Sequence, residues 1–434
     1  MDEKTGESAD PELRGAQAHA DRNLTTFCAA AALNDTGEEM MAPYLQGYIL
    51  NFLGASPFLY GLLLSLSEGA NRILKFFTGA ISDRKGRRGP VIGGYICIAS
   101  YRIGNAFARV WYHLVPTFAL RQVGRALRDP AREAAITECF PPEKRGRAFG
   151  TLSMVDTLGS VIGPVIGLVL LALFTYGFFS LQEFGFGTQF NDQSAYVKLF
   201  VVAAVPTLIS ALIILLFLKE TAKFREGGIS AGSGRKKGYF QQLRDGWRSY
   251  RGNRKLVNYT YGNMVFSLGA VPVVMILGYL TAEPGRGGLG LSAVQAGLLF
   301  IVYSLALCFS SYPCGYLVDR FGRKRTQVAA DVLCIAYLVA IALTGEFLMA
   351  ALAFVLYGVF ESLWMTTRRA TVADLAPKES CAQALGTFSM MYGLALLFAP
   401  LIFGTLWFLF SAQVAALVAA AICLAALIHL LLYC

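Results

Sequence analysis

Runs of about 20 apolar residues, the length at which a helix crosses a bilayer, recur along the whole chain and are separated by short polar segments. Their spacing predicts twelve helical spans, at about 24–52, 56–81, 90–109, 112–133, 148–173, 197–218, 256–280, 292–317, 326–344, 347–373, 381–407 and 410–433. Six lie on each side of a polar stretch at 219–255. The chain therefore divides into a tail at 1–23, a six-helix bundle at 24–218, a central loop at 219–255 and a second six-helix bundle at 256–434. An even number of spans places both ends of the chain on one side of the membrane.

Composition sharpens this picture. Of 434 residues, 55% are hydrophobic and 15% are charged, where a soluble domain carries about 25% charged residues. The formal net charge of +10 does not point to nucleic acid, because the basic residues sit in short segments between apolar runs. One set of loops holds Arg84, Lys85, Arg87, Arg88, Lys144, Arg145, Arg147, Arg320, Arg323, Lys324, Arg325 and the central segment, whereas Arg109 and Arg286 are the clear cases on the other side. The positive-inside rule then makes the termini and the central loop cytoplasmic. The expectation is an integral multi-pass protein of the cell (inner) membrane or a membrane derived from it, in contact with lipid and monomeric.

The first 23 residues are polar and lack a basic n-region before a short apolar stretch, so they predict a disordered cytoplasmic tail and no cleaved signal. The central loop carries eleven Lys and Arg residues. Its part at 227–238 is a flexible Gly/Ser linker; beyond it, Tyr239, Phe240, Leu243, Trp247 and Tyr250 fall at roughly helical spacing among basic residues. That pattern fits an amphipathic helix on an anionic membrane surface, or a solvated basic linker. The nine cysteines occur singly and His19, His113 and His429 are isolated, which predicts no disulfide framework, no metal site and no cofactor. Nucleophile–base pairs and phosphate loops are likewise absent from the sequence, which argues against an enzyme.

Two polar motifs organise the chain. Gly79-x-x-x-Asp83-Arg84-x-Gly86-Arg87-Arg88 returns 236 positions later as Gly315-x-x-x-Asp319-Arg320-x-Gly322-Arg323-Lys324. At the same offset, Arg132, Glu138, Pro141, Glu143 and Ala148-Phe149-Gly150-Thr151-Leu152-Ser153-Met154 align without gaps on Arg368, Asp374, Pro377, Glu379 and Ala384-Leu385-Gly386-Thr387-Phe388-Ser389-Met390, and Pro164 falls on Pro400. This is an internal repeat. Within each motif the glycines permit close helix approach and a tight turn, the aspartate accepts from a neighbouring helix N-terminus, and the arginines anchor to acidic partners. The cluster reads either as a cytoplasmic latch between the halves or as a topogenic basic loop.

With these residues in view, the chain resembles the major facilitator superfamily of secondary transporters, over nearly its whole length. The resemblance implies an all-α membrane fold of two six-helix pseudo-repeated bundles, with the first, fourth, seventh and tenth spans lining a central cavity, and alternating access as the mechanism. In span 5, Gly150, Gly159, Gly163, Pro164 and Gly167 are similar to the pattern of the superfamily's drug/proton exporters, except that Leu168 replaces the expected final glycine. That similarity implies export by antiport; small residues four apart also serve simply to pack helices in lipid.

Chemistry is expected where ionisable side chains enter the membrane, since each costs ~2.5–3.5 kcal/mol or more at a helix centre. Asp35, Glu38 and Glu39 lie near one face of span 1, with Asp35 about 16 Å deep at 1.5 Å per residue. Arg121, Arg125, Arg128 and Arg132 form one stripe of span 4, the first two about 14 and 20 Å from its outer end. Span 2 adds Glu68, Arg72 and Lys75, and Glu361 in span 10 occupies the repeat position of Arg125. Arg128, Asp129, Arg132 and Glu133 suggest a cytoplasmic ion-pair gate, Arg72 and Arg102 a structural role, and Asp156 and Asp331 have no partner assignable from sequence. Asp35, Glu38 and Glu39 are candidates for proton coupling or cation binding, with Glu68, Arg121, Arg125 and Glu361 as cavity charges. The solute is then a small organic compound or anion, with a metal cation such as iron or a non-transporting receptor as alternatives.

Overall fold

The computed structural model describes residues 11–67, 86–140, 142–177, 185–188, 190–220, 252–376 and 381–433, with single positions 71, 74, 78 and 250. The described chain is helical: α1 Pro11–Gly47, α2 Pro57–Ser67, α3 Arg88–Ala106, α4 Leu114–Cys139, α5 Pro142–Tyr176, α6 Gln193–Phe217, α7 Arg254–Gly269, α8 Val273–Thr281, α9 Ala293–Phe321, α10 Arg323–Leu343, α11 Phe347–Leu375, α12 Cys381–Leu396, α13 Ala399–Leu409 and α14 Ala412–Tyr433. Among the described residues eight helical stretches are long and apolar enough to cross a membrane. Neither α1 nor α4 is among them, because they carry the ionisable stripes.

Three elements carry detail that the spacing did not predict. The tail is not disordered from residue 11 onward: α1 begins at Pro11, since proline suits the first helical turn and the following alanines favour helix. Asn23 also ties this segment down, its amide donating to the Lys219 carbonyl at 3.3 Å and its side-chain oxygen accepting from the Lys219 N–H at 3.2 Å. The seventh and eleventh spans are each two helices, α7/α8 and α12/α13, interrupted at 270–272 and 397–398. Pro272 and Pro400 stand at the starts of α8 and α13, where the missing N–H costs no ladder bond. The amphipathic segment at 239–249 lies outside the described residues.

Packing within the first half turns on α1 against α5. A Cβ at Gly159 would stand 2.8 Å from the Ala32 carbonyl oxygen, at Gly163 2.6 Å from that of Thr36, and at Gly167 it would meet that of Met40. The three glycines thus fit the 32, 36, 40 ridge of α1 turn by turn, the backbone approach that small residues allow between membrane helices. Tyr44 completes the seam by donating to the Pro164 carbonyl at 3.2 Å. Gly150 opens on empty space, so only part of the span 5 pattern serves this contact.

The halves touch at the end remote from the motifs. Asn51 donates to the Thr281 carbonyl at 3.2 Å, Tyr60 to that of Val274 at 3.2 Å, and Ser292 to that of Phe186 at 2.9 Å. Gly61 and Gly404 lie back to back, a Cβ on the latter falling 3.2 Å from the former's Cα. Gly297 makes room for the Tyr44 ring. The loop before α6 contributes as well: Phe186 packs edge-on to Phe347 at 4.7 Å, and Asp192 caps α6 by accepting from the Ser194 N–H at 2.8 Å and its hydroxyl at 2.6 Å. Those two bonds hold the Asp192 carboxyl below the ordinary carboxylate range.

Gly163→Leu should therefore destabilise the purified protein by about 1–3 kcal/mol, the cost of overpacking, in thermal unfolding. Gly150→Leu, facing open space, should stay within about 0.5 kcal/mol of the parent.

Candidate functional site: a charged central cavity

A cavity of about 860 Å³ separates the halves below their contacts. Its first-half wall carries Glu38, Tyr101, Arg121, Arg125 and Glu133; its second-half wall carries Tyr357, Phe360, Glu361, Trp364, Arg368 and Tyr392. Glu133, Arg368 and Ser389 bring the lining to about two turns from the motif-bearing ends of α4, α11 and α12. The interrupted backbone also reaches it, through Ala270, Pro272, Leu396 and Pro400.

Glu38 is the hub of the first half. Its Oε1 accepts from Arg121 Nε at 2.8 Å and from the same guanidinium's Nη2, and its Oε2 accepts from Arg102 Nη2 at 3.1 Å. Arg102 is wholly buried. It also donates to the Asn34 and Ala203 carbonyls, both at 2.9 Å, and to the Thr207 hydroxyl. This one side chain thereby joins α1, α3 and α6. Gly37 supplies the room, since a Cβ there would collide with the Arg102 guanidinium.

The three acids of α1 do not share one environment. Among them only Glu38 lines the cavity; Asp35 accepts from Asn34 at 2.9 Å, and Glu39 makes neither a hydrogen bond nor an ion pair among the described residues. Cβ atoms added at Gly159 and Gly163 would meet those of Asp35 and Glu39 at 3.3 and 2.8 Å, so both acids flank the α5 seam. Positions 38 and 39 are 100° apart around a helix, and that rotation separates them.

The remaining charges distribute as follows. Arg121 lies 5.7 Å from the Tyr101 ring and Arg128 5.4 Å from that of Tyr95. Arg128 pairs with Asp129 at 2.9 Å, Arg132 reaches to Asp156 at 3.8 Å, and Glu133 lines the cavity. Glu361 accepts from the Tyr303 hydroxyl at 2.6 Å, and Asp331 accepts from the Gln327 amide at 2.8 Å. Glu68, Arg72, Lys75, Gly79, Asp83 and Arg84 lie outside the described residues.

At the motif end the repeat is repeated in space. Arg87 pairs with Glu138 at 2.7 Å, and the equivalent Arg323 pairs with Asp374 at 2.9 Å. Gly86 and Gly322 both adopt positive φ, at 87° and 81°, which is the tight turn glycine permits. Gly315, by contrast, faces open space. Asp319 accepts from Arg323 at 2.9 Å within its own half; Arg320 lies 5.5 Å from the Phe321 ring. A carboxylate that sequence reasoning missed, Glu220, caps α3 by accepting from the N–H groups of Arg87 at 2.8 Å and Arg88 at 3.2 Å. Its signal was an acid directly after the sixth span, among basic residues.

The family model for the Major Facilitator Superfamily matches residues 27–283 and 261–434, and the chain belongs to that family. It is 26% identical over 403 residues to an uncharacterized MFS-type transporter of Methanocaldococcus jannaschii, covering 89% of this chain and 88% of that one. A match of 33% identity to the multidrug resistance protein MdtH of Edwardsiella ictaluri spans 130 residues, 30% of this chain and 32% of MdtH. Among solved structures, a bacterial homolog of the human lysosomal transporter Spinster superposes with a TM-score of 0.74 at 15% identity, covering 98% and 97% of the two chains. The D-xylose–proton symporter gives 0.73 at 14%, covering 95% and 97%. The protein is thus an all-α membrane transporter of this superfamily.

Removing Arg102 takes one of its two cations from Glu38 and leaves several buried acceptors without a donor. Arg102→Met should cost about 3–5 kcal/mol of stability, as breaking a buried pair does, with part recovered in the Arg102→Met/Glu38→Gln double variant by thermal unfolding. The Arg87 side chain is 8% exposed and that of Arg323 32%. Arg87→Gln should therefore lower stability more than Arg323→Gln in the same assay.

Proposed function

We propose that the protein exports a small organic solute in exchange for protons, working by alternating access. Glu39 carries this reading. Glu38, one residue away, is neutralised by two guanidinium groups, whereas Glu39 has no cation bound to it among the described residues. A carboxylate in the membrane interior costs ~2.5–3.5 kcal/mol or more, so a proton has to supply what Arg102 and Arg121 supply to Glu38. Asp35 sits one turn away on the same seam and is the second member of the relay.

The seam gives the relay its coupling. Because Asp35 and Glu39 lie against Gly159 and Gly163, a change in their charge acts on the α1/α5 contact, the packing that shapes one side of the cavity. Among the described residues the hydrogen bonds between the halves lie away from the basic end, and the cavity runs toward it; by the positive-inside rule this is the inward-facing arrangement. Solute enters from the cytoplasm, and the halves rock to release it. The partial likeness to multidrug resistance proteins supports an amphiphilic organic solute. Among the described residues no three His, Cys, Asp or Glu side chains converge as a metal ion would require.

Proteoliposomes loaded with ethidium as a cationic probe and naphthalene-2-sulfonate as an anionic one test the coupling. The parent protein should move at least one probe in response to an imposed pH gradient. Glu39→Gln should keep probe exchange at equal pH and lose the response to the gradient, and Asp35→Asn should weaken it. An unchanged response in single neutralisations of Asp35, Glu38 and Glu39 would sink the proposal.

A further inference from the structure

The repeat sets Arg132 and Asp156 of the first half against Arg368 and Tyr392 of the second (368 − 236 = 132 and 392 − 236 = 156). In the first half those positions form an ion pair at 3.8 Å. In the second half the carboxylate has become a phenol ring, and the arginine has lost its counter-charge. Trp364 stands in turn where the first half has Arg128 (364 − 236 = 128). A pair of positions that makes an ion pair in one half makes an arginine–ring contact in the other.

Geometry shows what the exchange achieves. The Arg368 guanidinium carbon lies 3.9 Å from the centre of the Trp364 ring and 4.0 Å from that of Tyr392, with Phe388 at 5.8 Å. Two rings at stacking distance hold the planar cation by their electron-rich faces, each worth roughly 0.5–2 kcal/mol. Ring faces accept no in-plane N–H bonds. Arg368 Nη1 is buried without a hydrogen-bond partner, and the side chain forms no ion pair among the described residues. Glu361, two turns earlier on α11, is held instead by the Tyr303 hydroxyl. Arg368, Trp364, Tyr392 and Glu361 all line the cavity.

With the two ring centres only 5.4 Å apart, the rings stand at about a right angle around the guanidinium carbon and cover part of it, and its fork of N–H donors, matched to carboxylate, sulfonate or phosphate oxygens, has no acceptor among the described residues. We infer that Arg368 anchors the anionic group of a flat amphiphilic solute whose apolar body lies along the aromatic wall of α11. This names the solute class for the transport reading above and rests on it. Of the arginines in the lining, Arg121 is engaged by Glu38, and Arg368, unlike Arg125, stands among aromatic rings able to take the flat body of the solute. The solute would restore to Arg368 the counter-charge that Asp156 provides to Arg132.

Equilibrium dialysis on the purified full chain tests the anchor with four probes: naphthalene-2-sulfonate, trimethyl(2-naphthyl)ammonium, 2-naphthol and methanesulfonate. The parent should bind the aromatic sulfonate saturably and at least tenfold tighter than the cation, the neutral naphthol or methanesulfonate. Arg368→Gln should weaken sulfonate binding tenfold or more. Arg368→Lys should weaken it less, because charge survives while the fork and the stacking are lost. Tyr392→Asp, which rebuilds the first-half pair in the second, should also abolish it, with folding checked by thermal unfolding. Equal binding of cation and sulfonate by the parent, or parent-like sulfonate binding by Tyr392→Asp, would overturn the inference even if Arg368→Gln fails to fold. Sulfonate binding without a pH-gradient response removes the proton coupling and leaves the anchor; gradient-driven ethidium movement without sulfonate binding does the reverse.

Discussion

Hydrocarbon offers an ionised side chain nothing, so every charge carried into it must be met from within the protein. Arg102 shows how strict the condition is. With no exposed surface, it is met by a carboxylate, a hydroxyl and two backbone carbonyls drawn from two other helices. Once that cluster is formed, the rotation of α1 is settled. Glu38 must face Arg102 and Arg121, and the neighbouring carboxylate must then face α5. The cavity charge, the α1/α5 seam and the position of Glu39 all descend from one solvation problem.

Much of this architecture was legible in the sequence, and the reasons are physical. Apolar length reports helices that cross a membrane, and a fixed offset of 236 reports a duplication, which the paired ion bridges of Arg87 and Arg323 repeat in space. The stripe Arg121 to Arg132 could be assigned to one face because helical periodicity is exact enough over three turns. What could not be read was rotation and backbone partnership. Asp35, Glu38 and Glu39 are indistinguishable by spacing, and the acceptors around Arg102 include carbonyls that any residue would present. Glu220 and the helical start at Pro11 lay beyond the spans, where hydropathy carries no signal. Arg368 appeared in sequence only as the repeat partner of Arg132; its environment depends on rings from two helices.

The duplicated halves have diverged in chemical character rather than in shape. The first is wired by ion pairs, Glu38 with two arginines, Arg128 with Asp129, Arg132 with Asp156. The second answers with rings: Tyr303, Tyr357, Phe360, Trp364 and Tyr392 succeed one another at centroid distances of 5.4–5.9 Å. A cavity between such walls meets ion-paired charges on one side and, on the other, rings set around Glu361 and Arg368.

The interruptions in the seventh and eleventh spans give the second half an anatomy of its own. Segments α8 and α13 are fastened to the first half, through Tyr60 on Val274 and through the Gly61–Gly404 contact, whereas α7 and α12 belong to the body of the second. The links at 270–272 and 397–398 therefore both stand at the cavity, between the segments of the second half that hold the first and the rest of that half.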